Sequence, residues 1–348
     1  MNNTQADALL TGLVEQYSPS TQEENAVAYL VEHMTKLGFR ARVDGAGNAV
    51  GELGEGDYTL LLLGHIDTVP GFINVRREGN TLYGRGTVDA KGPLATFVAA
   101  AARAGAQPGK RVTVVGAVEE EAATSKGARF LLDKLTPDAV VIGEPSRWDR
   151  LTVAYKGRLL MDYELVREIG HTAGPDGSAC EEAFTFWQGI IEHTTAYNAR
   201  HPRMFEQLAP SLRTMHSEDD DFRQTTTLRV GFRLPQGIDI DALEHTMRDL
   251  AGDASLNFRG REVAYRASKS TPLARAFIKA IDTEGGSAQF KVKSGTSDMN
   301  VVGPVWNCPI LAYGPGDSSL DHTPNEHIDL EEYHRAIAVL ARVLTEVK

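Results

Sequence analysis

Three runs of unbroken apolar residues constrain this chain more than anything else in it: TLLLLG at 59–64, RVTVVGAV at 111–118 and AVVIG at 139–143. A strand with one wet face alternates apolar and polar side chains, whereas an uninterrupted run is satisfied where both faces are covered. Helical patterns separate the runs, AKGPLATFVAAAARAG at 90–105 and SKGARFLLDKL at 125–135. An amphipathic helix is predicted before them, over 20–38, with Val27, Leu30, Val31, Met34 and Leu37 on one face and Ser20 with Glu23 as a capping box. Buried strands alternating with helices predict an α/β domain.

The pattern changes near residue 150. LTVAYKGRLLMDYELV (151–166) reads as a half-exposed strand pair, CEEAFTFWQGIIEH (180–193) as a helix, and TTTLRVGFRL (225–234) as a strand. A helix at 240–252 and a strand at 255–266 follow, and the polar HSEDDDFRQ (216–224) reads as a solvated loop. This order predicts an α+β insert, two helices on a four-stranded sheet, over 153–267. The main domain then comprises 1–152 and 268–348, and its α/β character returns at Leu273 and ends in a helix at 329–347.

The net charge of -11 and pI near 5.4 exclude the basic surface that nucleic acid or an anionic membrane selects. The two cysteines, Cys180 and Cys308, have no metal-binding spacing. They predict a reducing, cytoplasmic setting without a disulfide framework. No signal peptide is evident at the N-terminus, and no apolar run approaches the roughly 18 residues of a membrane span.

Metal-competent residues recur where the apolar strands end, the usual position of an α/β site. His65 and Asp67 follow the first run, Glu119, Glu120 and Glu121 the second, and Glu144 the third. Asp89 lies in YGRGTVDAKGP and His322 in GPGDSSLDHTPNEH. Singly, each has an ordinary explanation: a structural histidine, a solvated acidic loop, a turn before proline. Jointly, carboxylates collected at one sheet edge repel one another unless a cation neutralises them. Imidazole with carboxylate suits zinc, with cobalt or manganese as substitutes. The Gly-rich GRGTVDAKG fits neither a dinucleotide nor a P-loop fingerprint.

In their order along the chain, GHIDTVP, YGRGTVDAKGP, VEEEAATSKGA, GEPS and the late H-T-P-N-E resemble the dinuclear-zinc hydrolases. That family includes acetylornithine deacetylase, succinyl-diaminopimelate desuccinylase, aminoacylase and glutamate carboxypeptidase, and the resemblance covers essentially the whole chain. It implies a mixed-sheet metallohydrolase domain carrying an inserted dimerisation or lid domain. His65 and Glu144 would hold one divalent ion, Glu121 and His322 a second, and Asp89 would bridge them. Glu120 would be the general base on the hydrolytic water, with Asp67 behind His65 fixing its tautomer. A cis peptide would follow Asp89. These roles rest on aligning Glu119–Glu121 with the family's Asp-Glu-Glu, and a one-residue slip exchanges base and ligand.

The resemblance also implies substrate contacts. His171, in GHTAGP, would reach the partner subunit's site in a homodimer and stabilise an oxyanion. Arg233 would pair with a substrate carboxylate, and Gly295 and Thr296, in SGTSDMN, would donate hydrogen bonds. One departure stands out: HSEDDDFRQTTT occupies the place of an asparagine motif found in many relatives, leaving no counterpart for that contact.

Length, GHIDTVPG, VDAKGP and SGTSDMN look most similar to the lysine- and ornithine-releasing branch. That branch cleaves the amide between an amino-group carrier protein's terminal glutamate side chain and lysine or ornithine. An acid such as Asp298, Asp317 or Asp321 would receive the released cationic side chain. A basic patch from Lys156, Arg158, Arg200 and Arg203 would meet the acidic carrier. Acetylornithine deacetylation, dipeptide hydrolysis or desuccinylation is the alternative, and a non-catalytic, metal-stabilised binding protein is the reading from another class.

Overall fold

The computed structural model describes residues 1–170 and 177–347, and it divides into two compact units. The first comprises Met1–Ala154, Arg266–Val292 and Ser297–Lys348, and the second Tyr155–Tyr265 with Lys293–Thr296.

The first unit opens with α1 (Asn3–Glu15) and α2 (Glu24–Lys36), followed by strands β1 (Arg40–Val43), β2 (Ala49–Leu53) and β3 (Tyr58–His65). The short β4 (Arg76–Glu78) and β5 (Thr81–Tyr83) lead into α3 (Lys91–Ala104), β6 (Lys110–Ala117), α4 (Lys126–Leu131), β7 (Ala139–Gly143) and β8 (Arg150–Tyr155). In the second unit come β9 (Gly157–Glu168), α5 (Ala179–Asn198), β10 (Ala209–Asp219), β11 (Arg223–Leu234), α6 (Ile240–Ala251) and β12 (Ser255–Glu262). Then β13 (Tyr265–Arg266), α7 (Pro272–Thr283), β14 (Gln289–Lys293), α8 (Asp298–Trp306), β15 (Ile310–Tyr313), β16 (His327–Asp329) and α9 (Leu330–Glu346) return the chain to the first unit.

The large sheet runs β1-β2-β6-β3-β7-β15-β8-β13, with β14 paired to β8. Its centre is parallel: β3 lies between β6 and β7, and β15 continues beyond β7. The outer pair β2–β6 is antiparallel, so the sheet is mixed. Leu60 to Leu63 on β3 are all fully buried, which accounts for the unbroken apolar run. On one side α3 is buried from Lys91 to Ala101, and its run of alanines permits close approach to the strands. In the second unit the sheet order is β10-β11-β9-β12, all antiparallel. Leu159, Met161, Tyr163 and Leu165 alternate along β9 and pack with Val230 and Phe232 of β11, Phe186 and Ile190 of α5, and Met247 of α6.

Several local expectations are corrected. Ser20 and Glu23 do not form a capping box: α2 begins after Glu23 with no side-chain cap, because both residues are recruited by distant loops. The segment 216–224 is a hairpin rather than a loop, since β10 reaches Asp219 and β11 restarts at Arg223. Its residues are exposed, and an edge strand in water tolerates polar side chains on both faces. The helix expected over 125–135 closes at Leu131. Of the pair read as half-exposed, β8 is buried throughout after Arg150, because it lies inside the large sheet. Among the described residues no helix is long and apolar enough to cross a membrane.

Leu62 lies opposite Val114 on one side and Val141 on the other, at the middle of the sheet. Leu62→Ala is expected to cost about 2–5 kcal/mol, the usual range for truncating a buried leucine, read as a lowered midpoint of thermal unfolding of the first unit by calorimetry.

Candidate metal centre

Strand register brings the acidic clusters together. His65 ends β3 opposite Ala117, the last residue of β6, so Glu119–Glu121 emerge beside it. On the other side Gly64 pairs with Gly143, the last residue of β7, which brings Glu144 level with His65. Asp89 enters from the turn before α3, across a cis Asp89–Ala90 peptide. His322 comes from the loop between β15 and β16.

Ligand-competent atoms of His65, Asp89 and Glu121 lie within 4.8 Å of one another. His322 overlaps this group, its Nε2 lying 2.8 Å from Glu121 Oε1 and 3.0 Å from Asp89 Oδ2. The other Asp89 oxygen, Oδ1, is 3.2 Å from His65 Nε2. Each oxygen of one carboxylate therefore faces a different imidazole, the geometry of a group shared between two cation positions. Glu144 is buried, and its charge reaches Glu120.

The donor set fits divalent cations. Both ring nitrogens of His65 face oxygen acceptors, which a neutral imidazole with a single N–H cannot satisfy without a second proton or a metal ion. Burial alone would lower the His65 imidazolium, but Asp67, Asp89 and the Glu120 charge hold it well above its ordinary value. Hydrogen bonds to Asp89 and Glu121 push His322 up to about 11, against burial. Asp89 is held far below the carboxylate range despite burial, because His322 and His65 both stabilise its charge. Nitrogen and oxygen donors with so strong a demand for positive charge suit divalent metal ions.

Glu120 differs from its neighbours. Burial pushes its carboxyl well above the ordinary value, and the charges of Asp298, Glu144 and Glu121 add to this against His65. A carboxyl that favours its proton yet adjoins the cation donors is suited to accept and return one. Glu119 faces away: it accepts from Thr124 Oγ1 at 2.7 Å and pairs with Lys126 at 3.3 Å. The three glutamates thus have three different environments.

Asp67 meets the His65 ring and also braces the neighbouring loop. The nearer partner of His65 Nδ1 is the Asp67 backbone carbonyl at 3.0 Å, and the carboxylate oxygen lies 3.5 Å away. The fully buried Asp67 carboxylate also accepts the backbone N–H groups of Glu120 and Glu121, both at 3.0 Å, and the Ser20 hydroxyl at 2.7 Å. Glu23 accepts the Glu119 N–H at 3.2 Å. Sequence reasoning missed these braces, because their partners are backbone amides far away in the chain. It also missed Lys91, whose buried ammonium donates to the Gln16 carbonyl and is lowered to about 7 by burial, against the charges of Glu326 and Asp67.

The expected substrate-contact and basic-patch residues lie in the second unit or outside the described residues. Arg233 Nη1 donates to Thr296 Oγ1 at 2.9 Å, and that hydroxyl donates to the Lys156 carbonyl at 3.2 Å. Gly295 has open space where a side chain would begin. His171 lies outside the described residues. The expected basic patch is reduced: Lys156 is buried and donates to the Gln207 carbonyl, and Arg158 pairs with the buried Glu262 at 3.1 Å. Arg200 and Arg203 are exposed.

Residues 61–346 match the family described as Peptidase family M20/M25/M40, and the chain belongs to it. A protein of Deinococcus radiodurans named LysW-lysine hydrolase is 45% identical over 340 residues, covering 95% of this chain and 93% of the relative. A Thermococcus kodakarensis protein with the provisional name LysW-lysine/LysW-ornithine hydrolase is 39% identical, covering 97% and 91%. Among solved structures, an M20 family metallo-carboxypeptidase of Sulfolobus solfataricus superposes with a TM-score of 0.79 at 18% identity, covering 100% of this chain and 99% of that one. That likeness speaks for the fold.

Replacing Asp67 by Asn sets an amide NH2 against one of the two backbone N–H groups that its separate oxygens accept. Cation affinity is expected to fall about 10–100-fold, as for other residues that orient metal ligands, measured by isothermal titration with zinc.

Proposed function

We propose that this chain hydrolyses the amide joining lysine, and with it ornithine, to the C-terminal glutamate side chain of an amino-group carrier protein, in lysine and arginine biosynthesis. The observation that carries the reading is the shared Asp89 carboxylate between two histidines, with the buried Glu120 carboxyl group alongside. The near full-length likeness to the Deinococcus radiodurans LysW-lysine hydrolase supports the choice of substrate.

His65 and Glu144 would hold one ion, Glu121 and His322 the other, with Asp89 common to both; zinc is the first choice and cobalt the second. Bound divalent ions supply Lewis acidity, polarising the scissile carbonyl and acidifying water. Glu120 takes the proton of the attacking water and delivers it to the departing amine of lysine. Asp67 holds Glu120 and Glu121 in register throughout. Of the three acids expected to receive the substrate's cationic side chain, Asp317 is committed to Arg147. Asp298 is buried and its charge is felt at Glu120, so it is the better placed. Arg233, with Thr296 oriented by it, is assigned to a substrate carboxylate, and Gly295 leaves room for close approach.

We also assign a homodimer built on the second unit, with His171 acting across it. Phe184 and Ile191 of α5 and Leu250 of α6 are exposed there and offer apolar surface. The free cysteines suit a cytoplasmic setting.

Purified protein loaded with zinc or cobalt is to be offered carrier-linked lysine, carrier-linked ornithine, N-acetylornithine and N-succinyl-diaminopimelate. Turnover of the carrier conjugates is expected; turnover of a free acyl amino acid alone would reject the carrier assignment. Glu120→Gln should lower kcat about 10²–10⁴-fold, the range for a general base, with metal content by atomic absorption unchanged. Full activity in that variant would end the mechanism.

A further inference from the structure

Glu326 is a heavily engaged buried carboxyl group near the centre, and neither the proposed metal ligands nor the general base includes it. Its side chain is 1% exposed. Oε1 accepts three backbone N–H groups, from Gly86 at 3.0 Å, Val88 at 2.9 Å and Asp89 at 3.1 Å. Oε2 accepts from Arg85 Nη1 at 2.8 Å, and Arg85 Nε donates on to the Gly71 carbonyl at 2.9 Å. The Glu326 carbonyl also receives the Gly84 N–H at 3.3 Å.

Three amide donors on one oxygen and a guanidinium on the other match the acceptor capacity of an ionised carboxylate. The amides belong to the turn that carries Asp89. Gly86 within it has φ near +90°, and a side chain there would meet Thr68 and Lys91, so the turn has little freedom to rearrange. Asp89 is thus held at two points by one short segment. His322 contacts its carboxylate, and Glu326, in the same H-T-P-N-E run, holds its backbone N–H.

We propose that Glu326 is a positioning residue for the metal centre: it sets the 85–89 turn so that the two oxygens of Asp89 face His65 and His322. The inference rests on the reading of Asp89 as the shared ligand. A carboxylate that must serve two ions at once tolerates less displacement than one serving a single ion, so the clamp acts on both positions together.

The test titrates cobalt(II) alone into the metal-stripped full chain, following the visible absorption of the bound ion and the melting temperature. Glu326→Gln keeps the size of the side chain but not its charge. Its amide must turn an NH2 group either toward the three N–H donors or toward Arg85. Cobalt affinity is expected to fall about 10–100-fold with an altered visible spectrum. Glu326→Asp keeps the charge but withdraws the oxygens by one methylene, and should recover part of the loss. If the glutamine variant does not fold, the aspartate variant decides alone.

A folded Glu326 variant with parental cobalt affinity and spectrum, even with a lowered melting temperature, would reduce Glu326 to a fold-stabilising residue and overturn the inference. A parent chain that binds no cobalt would remove the metal centre itself, an outcome distinct from the first.

Discussion

One carboxylate, that of Asp89, connects the parts of this molecule that carry chemistry. Its two oxygens face His65 at 3.2 Å and His322 at 3.0 Å, residues that belong to the end of a central strand and to a loop near the end of the chain. Buried carboxylates alone would repel one another and shed their charge by protonation. Here the demand for positive charge is strong: the Asp89 and Glu121 carboxylates push the His322 imidazolium up to about 11. A scaffold that sustains such a demand has to be rigid, and the parallel centre of the sheet supplies that rigidity, because the strands ending at His65, Ala117 and Gly143 are fixed in mutual register.

Around the ligands stand further carboxylates whose partners are backbone N–H groups. Asp67 holds Glu120 and Glu121, Glu23 holds Glu119, and Glu326 holds the turn of Asp89. Backbone N–H donors do not titrate and cannot swing away, so they fix loop geometry more firmly than a second side chain would. Glu119 and His322 both adopt left-handed backbone conformations, with φ of 58° and 62°. Non-glycine residues avoid that region unless their surroundings enforce it. The two segments that deliver Glu121 and His322 therefore depend on this bracing.

The sheet was legible because burial on both faces removes polar residues from a strand and leaves runs such as TLLLLG. The loops holding His65, Glu121 and Glu144 were legible for the same reason, since charged groups reappear abruptly where burial ends. The bracing was not. Ser20 and Glu23 have the spacing of a local helix cap, and nothing in that spacing reveals that Asp67 and Glu119 claim them instead. Glu326 meets Asp89 across 237 positions, through an amide that every residue type possesses. Long-range contacts to backbone leave no compositional trace. The polar β10–β11 hairpin was misread because an exposed edge strand need not show alternation. The α1 helix escaped notice although its capping box, Asn2 with Gln5, was written in the sequence.

His322 and Glu326 lie within five consecutive residues, yet the groups they hold lie about 200 or more residues earlier, from Gly84 to Glu121. A ribosome must therefore add more than two hundred residues after Asp89 before its turn receives either of its clamps. Until then the nascent protein can build most of its central sheet while lacking a finished cation pocket. Assembly order is thereby written into topology, with the cation pocket closed only after the strands of the central sheet have been made.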